Sequence, residues 1–301
     1  ERDVFNFVWR NWIGTVALYG AATLHLSLVL ASIYRKRGWR AVSWSEYLQI
    51  TLGLCVPLLV ANHAIANRGG HELFGLEDSY AHVLLALWVQ KPWLGFAQCL
   101  LILIAWTHGS MGVHFWLRLK PFYPVWRRVL YPAALLLPVL AMAGFIDGGR
   151  QLEAKLADPI FRERLIAPLR ALPAEAPAWV EDMTDRAQVG FLALLATLFA
   201  ARLITGALER RRDFITLTYP GGRRVSVRRG TSVLEASRLS GIPHASVCGG
   251  RGRCSTCRIR LGEGRGEVAP AAEAELRVLA RIGAPEGVRL ACPLRPTTDL
   301  Q

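Results

Sequence analysis

The chain has 301 residues, 52% of them hydrophobic, and carries a formal net charge of +13 from 36 Lys+Arg against 23 Asp+Glu. That is too apolar for an ordinary soluble domain. The basic residues fall between apolar runs, which points to cytoplasmic loops and anionic lipid rather than nucleic acid, so no nucleic-acid partner is expected. The first residue is Glu1 rather than Met, and no signal-peptide pattern precedes the apolar runs. The chain is therefore expected to be part of a longer protein.

Five apolar stretches, at 12–34, 45–66, 93–118, 125–146 and 187–208, are long enough to cross about 30 Å of hydrocarbon. A shorter apolar piece, 79–90, ends just before Pro92. It reads as an interfacial or re-entrant helix, with a sixth span as the alternative. Arg35, Lys36, Arg37 and Arg40 follow the first span. Arg118, Lys120, Arg127 and Arg128 lie between the third and fourth, and Arg210–Arg212 follow the fifth. These clusters mark the cytoplasmic side, so the N-terminus is expected outside and the C-terminus inside. The segment 147–186 reads as a long loop of mixed charge. Cys55 and Cys99 stand alone in apolar runs and read as core residues.

Histidine inside a membrane span is rare and marks function by default. His25 lies in the first span, His63 near the outer end of the second, and His108 and His114 in the inner half of the third. Paired histidines on facing helices suit haem b, whose iron takes two imidazoles. At 1.5 Å per residue His25 and His108 lie roughly 14 and 15 Å from the inner ends of their helices, a match in depth that would let them share one iron. His63 lies further out, and its candidate partners are His71 and His82. For those two a helix–helix hydrogen bond is an equal alternative. His114 could replace His108, or bind a quinone or a haem propionate. Gly109 and Gly112 would let a macrocycle approach the third helix, and Arg68 and Arg118 are placed to meet propionates. One or two haems are expected, two being favoured.

After Arg212 the pattern changes. "FITLTYP" and "RRVSVR" alternate apolar and polar residues around Gly221-Gly222 and predict a hairpin. "TSVLEASRLSG" predicts a helix capped by Thr231 or Ser232 and stopped by Gly241. "VCGGRGRCSTCRIRL" follows, with "CRIRL" as a strand. The domains are therefore 1–212, an all-α membrane bundle, and 213–301, a small α+β domain of β-grasp order.

Cys248, Cys254 and Cys257 are spaced C-x5-C-x2-C, and Cys292 follows after 34 residues. Structural zinc usually takes two separated Cys pairs. Three clustered thiolates and one distant one suit a [2Fe–2S] cluster. Gly249, Gly250 and Gly252 would let the backbone turn its amides toward the sulfurs, and Arg251 and Arg253 would favour the reduced state. A zinc or disulfide loop is the competing reading.

Residues 213–301 resemble a ferredoxin domain of adrenodoxin-like spacing, which implies Cys248, Cys254, Cys257 and Cys292 as iron ligands. The helical part resembles the cytochrome-b-type anchors of succinate dehydrogenase and fumarate reductase, with His25, His63 and His108 where those anchors carry haem ligands. The fourth and fifth spans carry no histidine, a departure from that pattern. The whole resembles the N-terminal regulatory part of bacterial membrane-bound class III adenylate cyclases. By that resemblance a cyclase domain would follow Gln301, nine residues after Cys292. The chain would then be dimeric, lie in the bacterial inner membrane and serve cAMP signalling. No cyclase active site occurs in these residues. The expected function is a redox-sensing electron-transfer module between quinone-linked haem b and a cytoplasmic [2Fe–2S] cluster, with the "ALERRRDF" linker as its switch. The alternative is an electron-transfer subunit of a quinone oxidoreductase without a signalling role. A plain membrane anchor, whose ferredoxin serves a separate soluble partner, is a third reading.

Overall fold

The structure is a computed structural model that describes residues 2–36, 39, 42–209, 214–262 and 268–301. Arg37, Arg40 and Arg210–Arg212, and with them the basic part of the expected switch linker, lie outside the described residues. The chain divides into two compact units, Glu1–Ser27 with Leu48–Thr197 and Leu28–Tyr47 with Leu198–Gln301.

The first unit is helical. In chain order it draws on α1 (Arg2–Arg10), α2 (Trp12–Arg35) and α3 (Trp44–Ala64), which runs through a π-helical turn, Ile65–Gly70, into α4 (His71–Phe74). Then come α5 (Tyr80–Leu84), a second π turn at Leu85–Gln90, α6 (Pro92–Leu117), α7 (Tyr123–Lys155), α8 (Pro159–Arg170) and α9 (Glu175–Glu209). Pro92 opens α6 at a position where its missing N–H costs nothing. Five of these helical segments are long and apolar enough to cross a membrane. Their apolar side chains face outward as well as inward: Leu135 is 71% exposed and Phe96 78%. Helices apolar on every face suit hydrocarbon rather than water.

One segment differs from the sequence reading, and for another only the alternative reading falls. The stretch 147–186, expected as a loop, is almost wholly helical. α7 continues to Lys155, α8 follows, capped by the Asp158 carboxylate accepting from the Ile160 amide at 2.9 Å, and α9 starts at Glu175. The charged residues there end the apolar run without ending the helix, because a helix needs spacing rather than hydropathy. Tyr80–Gln90 is too short to be a sixth span: 11 residues rise only about 17 Å. It packs instead on two spans. Leu84 and Leu85 join Phe145, Leu152 and Leu165 in one core. Trp88 lies edge-on to Phe145 at 5.9 Å, over Gly149, where a Cβ would fall 2.3 Å from the indole.

The second unit gathers the ends of α2, α3 and α9 with a small α+β domain. β1 (Phe214–Thr218) and β2 (Arg224–Arg228) form the expected antiparallel hairpin, with Ile215 opposite Val227. Gly221 and Gly222 make its turn at φ 81° and 77°. α10 (Val233–Leu239) is capped by Ser232, whose hydroxyl accepts from the Glu235 amide while Glu235 accepts from the Ser232 amide. β3 (Arg258–Arg260) pairs with β4 (Val288–Leu290), and α11 (Glu273–Arg281) lies between them in sequence. The sequence reading contains neither α11 nor β4. Leu300 adds a parallel bridge to Leu217. The inward residues of the hairpin, Ile215, Leu217, Val225 and Val227, pack with Leu234, Leu279 and Leu290.

Glu275 of α11 is 3% exposed. Its carboxylate accepts from the Leu290 amide at 2.7 Å and from Arg289 Nε and Nη2 at 2.9 and 3.1 Å. One buried charge thus joins α11 to β4. Glu275→Gln leaves Arg289 without its counter-charge and is expected to destabilise the domain by about 3 kcal/mol. Urea-dependent protease cleavage within 214–301 of the full chain measures this; a midpoint equal to that of wild type would show that the pair contributes nothing.

Candidate metal centres

The cysteine loop is built by backbone geometry. Gly249, Gly250 and Gly252 have φ of 71°, 86° and 65°, a region closed to most L-residues. Gly250 also lies where a Cβ would come within 3.2 Å of Leu234 Cδ2 on α10. α10 is fastened to the far end of the domain by Val233 N–H to the Leu294 carbonyl and Leu234 N–H to the Ala291 carbonyl, both 3.0 Å. The Ala291 amide donates to the Cys257 carbonyl at 2.9 Å. The β3–β4 ladder, with Arg258 opposite Leu290, thus delivers Cys257 and Cys292 to the same point.

All four cysteines of this group are buried and free of disulfides. Their sulfurs fall as two pairs. Cys257 Sγ and Cys292 Sγ are 3.5 Å apart. Cys254 Sγ accepts from the Cys248 amide at 3.4 Å and lies 3.1 Å from the Thr256 hydroxyl. Among the described residues no three Cys, His or acidic side chains group as a mononuclear metal site requires. Two thiolate pairs suit two irons better than one zinc.

The environment favours thiolate at Cys248 and Cys257. Burial pushes the Cys248 thiol up, but hydrogen bonds from the Arg253 backbone, from Cys254 and from the Arg251 backbone outweigh it, and the net shift is down. The hydrogen bond with Cys292 brings Cys257 down to about 6, against the opposing effect of burial. The same bond, with burial, pushes Cys292 up. Behind the loop runs a polar chain that the sequence reading missed. The Tyr219 hydroxyl meets Ser237 Oγ at 2.9 Å, and Ser237 Oγ meets His244 Nδ1 at 2.9 Å. His244 Nε2 lies 3.4 Å from the Cys257 carbonyl. Nothing in the spacing of these residues announces that chain; the fold of α10 against the loop makes it.

The loop also faces a cleft inside its own unit. Gly249, Gly250 and Cys292 form one side, and Ser32, Lys36 and Glu46, from the ends of α2 and α3, the other. Lys36 is paired with Glu46 at 2.5 Å, and Arg295 with Glu235 at 3.2 Å, so two cations at this cleft are already matched.

In the helical unit His25 and His108 come together, with ring centroids 6.2 Å apart and planes at 75°. A carbonyl only accepts, so His108 Nδ1, 3.0 Å from the Gln49 carbonyl, carries the proton. Its Nε2 is left for another partner. Gln49 answers by donating from Nε2 to the His108 carbonyl at 3.0 Å, and its Oε1 is buried with no partner. Gly53 makes room for this ring: a Cβ there would lie 2.6 Å from His108 Cε1. Sequence reasoning missed Gly53 and Gln49, which lie one turn apart on α3 and belong to no recognisable motif. Of the two glycines it did single out, Gly109 opens on space with no atom within 4 Å of its Cβ position, whereas Gly112 receives Gln49 Nε2 at 3.4 Å.

His63 and His82 line one cavity of about 310 Å³, bordered by residues of both π turns. Both nitrogens of His82 are engaged, Nδ1 with Ser79 Oγ at 2.7 Å and Nε2 with the Leu165 carbonyl at 3.0 Å. His71 Nδ1 donates to the Leu76 carbonyl at 3.0 Å. His114 Nδ1 meets the Tyr123 hydroxyl at 2.7 Å. Arg68 pairs with Glu72 at 3.0 Å and donates to Thr15 at 3.1 Å. Arg118 stacks over Phe115 at 4.8 Å, and its Nε is buried without a partner.

Comparison with known proteins bears on the C-terminal part. Residues 218–297 match the family model of the 2Fe-2S iron-sulfur cluster binding domain. The F subunit of the Na(+)-translocating NADH-quinone reductase of Idiomarina loihiensis is 34% identical over 79 residues, 26% of this chain and 19% of that protein. The corresponding protein of Pseudomonas aeruginosa strain UCBPP-PA14 is 30% identical over 111 residues, 37% of this chain and 26% of that protein. The chain thus spans about a fifth to a quarter of the length of these relatives. The crystal structure of the ISC-like [2Fe-2S] ferredoxin from Pseudomonas putida JCM 20004 matches at 30% identity, over 29% of this chain and 86% of that one, with a TM-score of 0.26. The C-terminal region of this chain is a 2Fe-2S ferredoxin domain, homologous to a stretch of the F subunit of the quinone reductase.

Proposed function

We propose that the chain is a membrane-embedded electron-transfer module with two kinds of centre, a haem b in the helical unit and the [2Fe–2S] cluster of the C-terminal domain. The observation that carries the haem is the spacing of His25 and His108. Two imidazoles bound to one metal atom, each at about 2 Å, have centroids about 6 Å apart. That is the separation found here, and the near-perpendicular planes leave the rings free to face a common atom. The Gln49 carbonyl fixes the His108 tautomer, Gly53 clears its ring, and Gly109 leaves the adjoining surface of α6 open. The unpartnered Arg118 Nε suits a propionate. Haem b and the cluster, when bound, supply one-electron chemistry.

For the cluster, Cys248 and Cys254 would hold one iron, and Cys257 and Cys292 the other. The backbone amides of Arg251, Arg253 and Cys254, in the loop turned by the positive-φ glycines, donate to Cys248, and that of Gly252 to Cys292, so they would stabilise the anionic sulfurs. A second haem finds less support, because both nitrogens of His82 are engaged by protein partners. The cavity that His63 shares with it is as well suited to a quinone headgroup, a flat apolar ring that needs few polar contacts. The basic residues at the ends of the spans support a cytoplasmic ferredoxin.

Two outputs fit such a module. Control of an attached adenylate cyclase domain follows from the resemblance of the whole chain. Delivery of electrons within a quinone oxidoreductase complex is favoured by the name of the relatives that match the ferredoxin domain. Cyclic AMP formation by the native protein in membranes poised with quinone or quinol separates them: dependence on the poise supports the first, and its absence the second.

Cys254→Ser is expected to abolish the electron paramagnetic resonance signal of a reduced [2Fe–2S] centre and to leave the haem absorbance in place. Zinc bound stoichiometrically to the wild type, with no such signal, would overturn the cluster.

His25→Ala and His108→Ala should each remove the same haem, read as the haem-to-protein ratio and the reduced α band. Gly53→Ala should lower occupancy of that site several-fold by displacing the His108 ring. Gly20→Ala, with no atom within 4 Å of its Cβ position, should not. Full haem occupancy in His25→Ala would return that histidine to a packing role.

A further inference from the structure

Thr256 of the cysteine loop follows Cys254 by two residues, precedes Cys257 and is half-buried. Its hydroxyl oxygen makes two contacts. It accepts from the Val247 amide at 3.0 Å, and it lies 3.1 Å from Cys254 Sγ. A threonine hydroxyl has one proton to donate and two lone pairs to accept with. The amide can only donate, so it occupies a lone pair and the hydroxyl proton is left for the sulfur. An iron-bound thiolate carries no proton and can only accept. The direction of the second contact is thereby fixed: Thr256 donates to Cys254.

The backbone holds this hydroxyl in place from both ends of the loop. Before Cys248, the Gly249 amide donates to the Ser246 carbonyl at 3.0 Å and closes a turn around Val247. The Cys248 amide donates to the same Cys254 sulfur at 3.4 Å. After Cys254, the Ser255 carbonyl accepts from the Arg258 amide at 3.3 Å and from Arg258 Nη1 at 3.4 Å, a second turn with Thr256 inside it. The donor is therefore preorganised. It also differs in kind from the other donors at the thiols. Cys248 and Cys292 receive backbone amides, which any residue other than proline supplies. The bond to Cys254 depends on which side chain stands at position 256.

We propose that Thr256 sets the reduction potential of the cluster through this hydrogen bond. The inference rests on Cys254 as an iron ligand, as proposed above. Reduction adds one electron to the two-iron centre and increases the negative charge that its sulfurs share. A donor to a ligand sulfur stabilises the reduced form more than the oxidised form and so raises the potential.

The test compares the full chain with Thr256→Val, which keeps a similar shape and loses the hydroxyl, and Thr256→Ser, which keeps the hydroxyl. A redox titration followed by the electron paramagnetic resonance signal of the reduced centre gives each midpoint. Thr256→Val should shift the reduction equilibrium about tenfold toward the oxidised form, a fall of about 59 mV for a one-electron couple. Thr256→Ser should titrate with the wild type, and so should Ser255→Ala, which removes the neighbouring hydroxyl. A hydroxyl that merely clips the loop shut would lower the cluster content of Thr256→Val without moving the midpoint of the centres that remain. That result would overturn the proposal, as would an equal shift in Thr256→Ser. Where Thr256→Val assembles no cluster, Thr256→Ala carries the same expectation, and failure of both beside a loaded Thr256→Ser would assign the hydroxyl to loop closure and overturn its role in the potential. A Cys254→Ser variant that kept the wild-type signal would remove the ligand assignment and this inference with it, whereas loss of that signal together with an unmoved midpoint in Thr256→Val overturns the inference alone.

Discussion

A single backbone hydrogen bond, from the Ala291 amide to the Cys257 carbonyl at 2.9 Å, closes the long excursion between the third and fourth cysteines. The approach of Cys292 to Cys257 depends on this closure and on the contacts that back it. Three of the thiols are neighbours in sequence and need only a loop that can turn. The fourth must be brought across 34 intervening residues, against the entropy of closing that loop. The β3–β4 ladder, the Glu275–Arg289 pair that holds α11 to it, and the ties from α10 to Ala291 and Leu294 together supply the closure. The site is therefore a property of the domain core. Loosening α11 would separate Cys292 from Cys257 without touching either thiol.

The helical unit works under a different constraint. Its five long apolar segments carry apolar side chains on most faces, so hydropathy alone says little about which sides meet. Close approach is decided by the small residues. Gly53 admits the His108 ring, Gly149 admits Trp88, and Gly95 lets the Leu87 carbonyl lie where a Cβ would be 2.3 Å from it. Polar groups then complete what the small residues allow. Gln49 and His108 exchange two hydrogen bonds across α3 and α6, and Gln188 donates to the Leu58 carbonyl at 2.8 Å across α3 and α9. Such bonds set register between apolar helices that otherwise slide. The histidines are drawn into this scheme in two ways. His25 and His108 face each other with one ring nitrogen of His108 kept open, whereas His82 is consumed by Ser79 and Leu165.

Charge is distributed to match. Within the second unit the cluster loop looks across a cleft at Lys36, which is paired with Glu46, and Lys36 also lines a neighbouring cavity with Arg202, Arg228 and Arg229.

The sequence by itself determined the features that depend on local chemistry. The five apolar runs, the hairpin with its Gly221-Gly222 turn, the capped helix α10 and the glycine-rich cysteine loop are each written in consecutive residues, because hydropathy, turn conformation and capping act over a few positions. The depth match of His25 and His108 is also legible there, since helical rise is a fixed length per residue. Tertiary structure decided the rest. The charged stretch 147–186 became helix because its side chains find partners on the segment 80–90, and β4 became a strand because β3 was there to pair with it. Gly53, Gln49 and His244 gained their places only when helices, or a helix and a loop, met. A contact between residues far apart in the chain leaves no periodic mark in either segment, so a ring nitrogen that is open in His108 and occupied in His82 looks the same in the sequence.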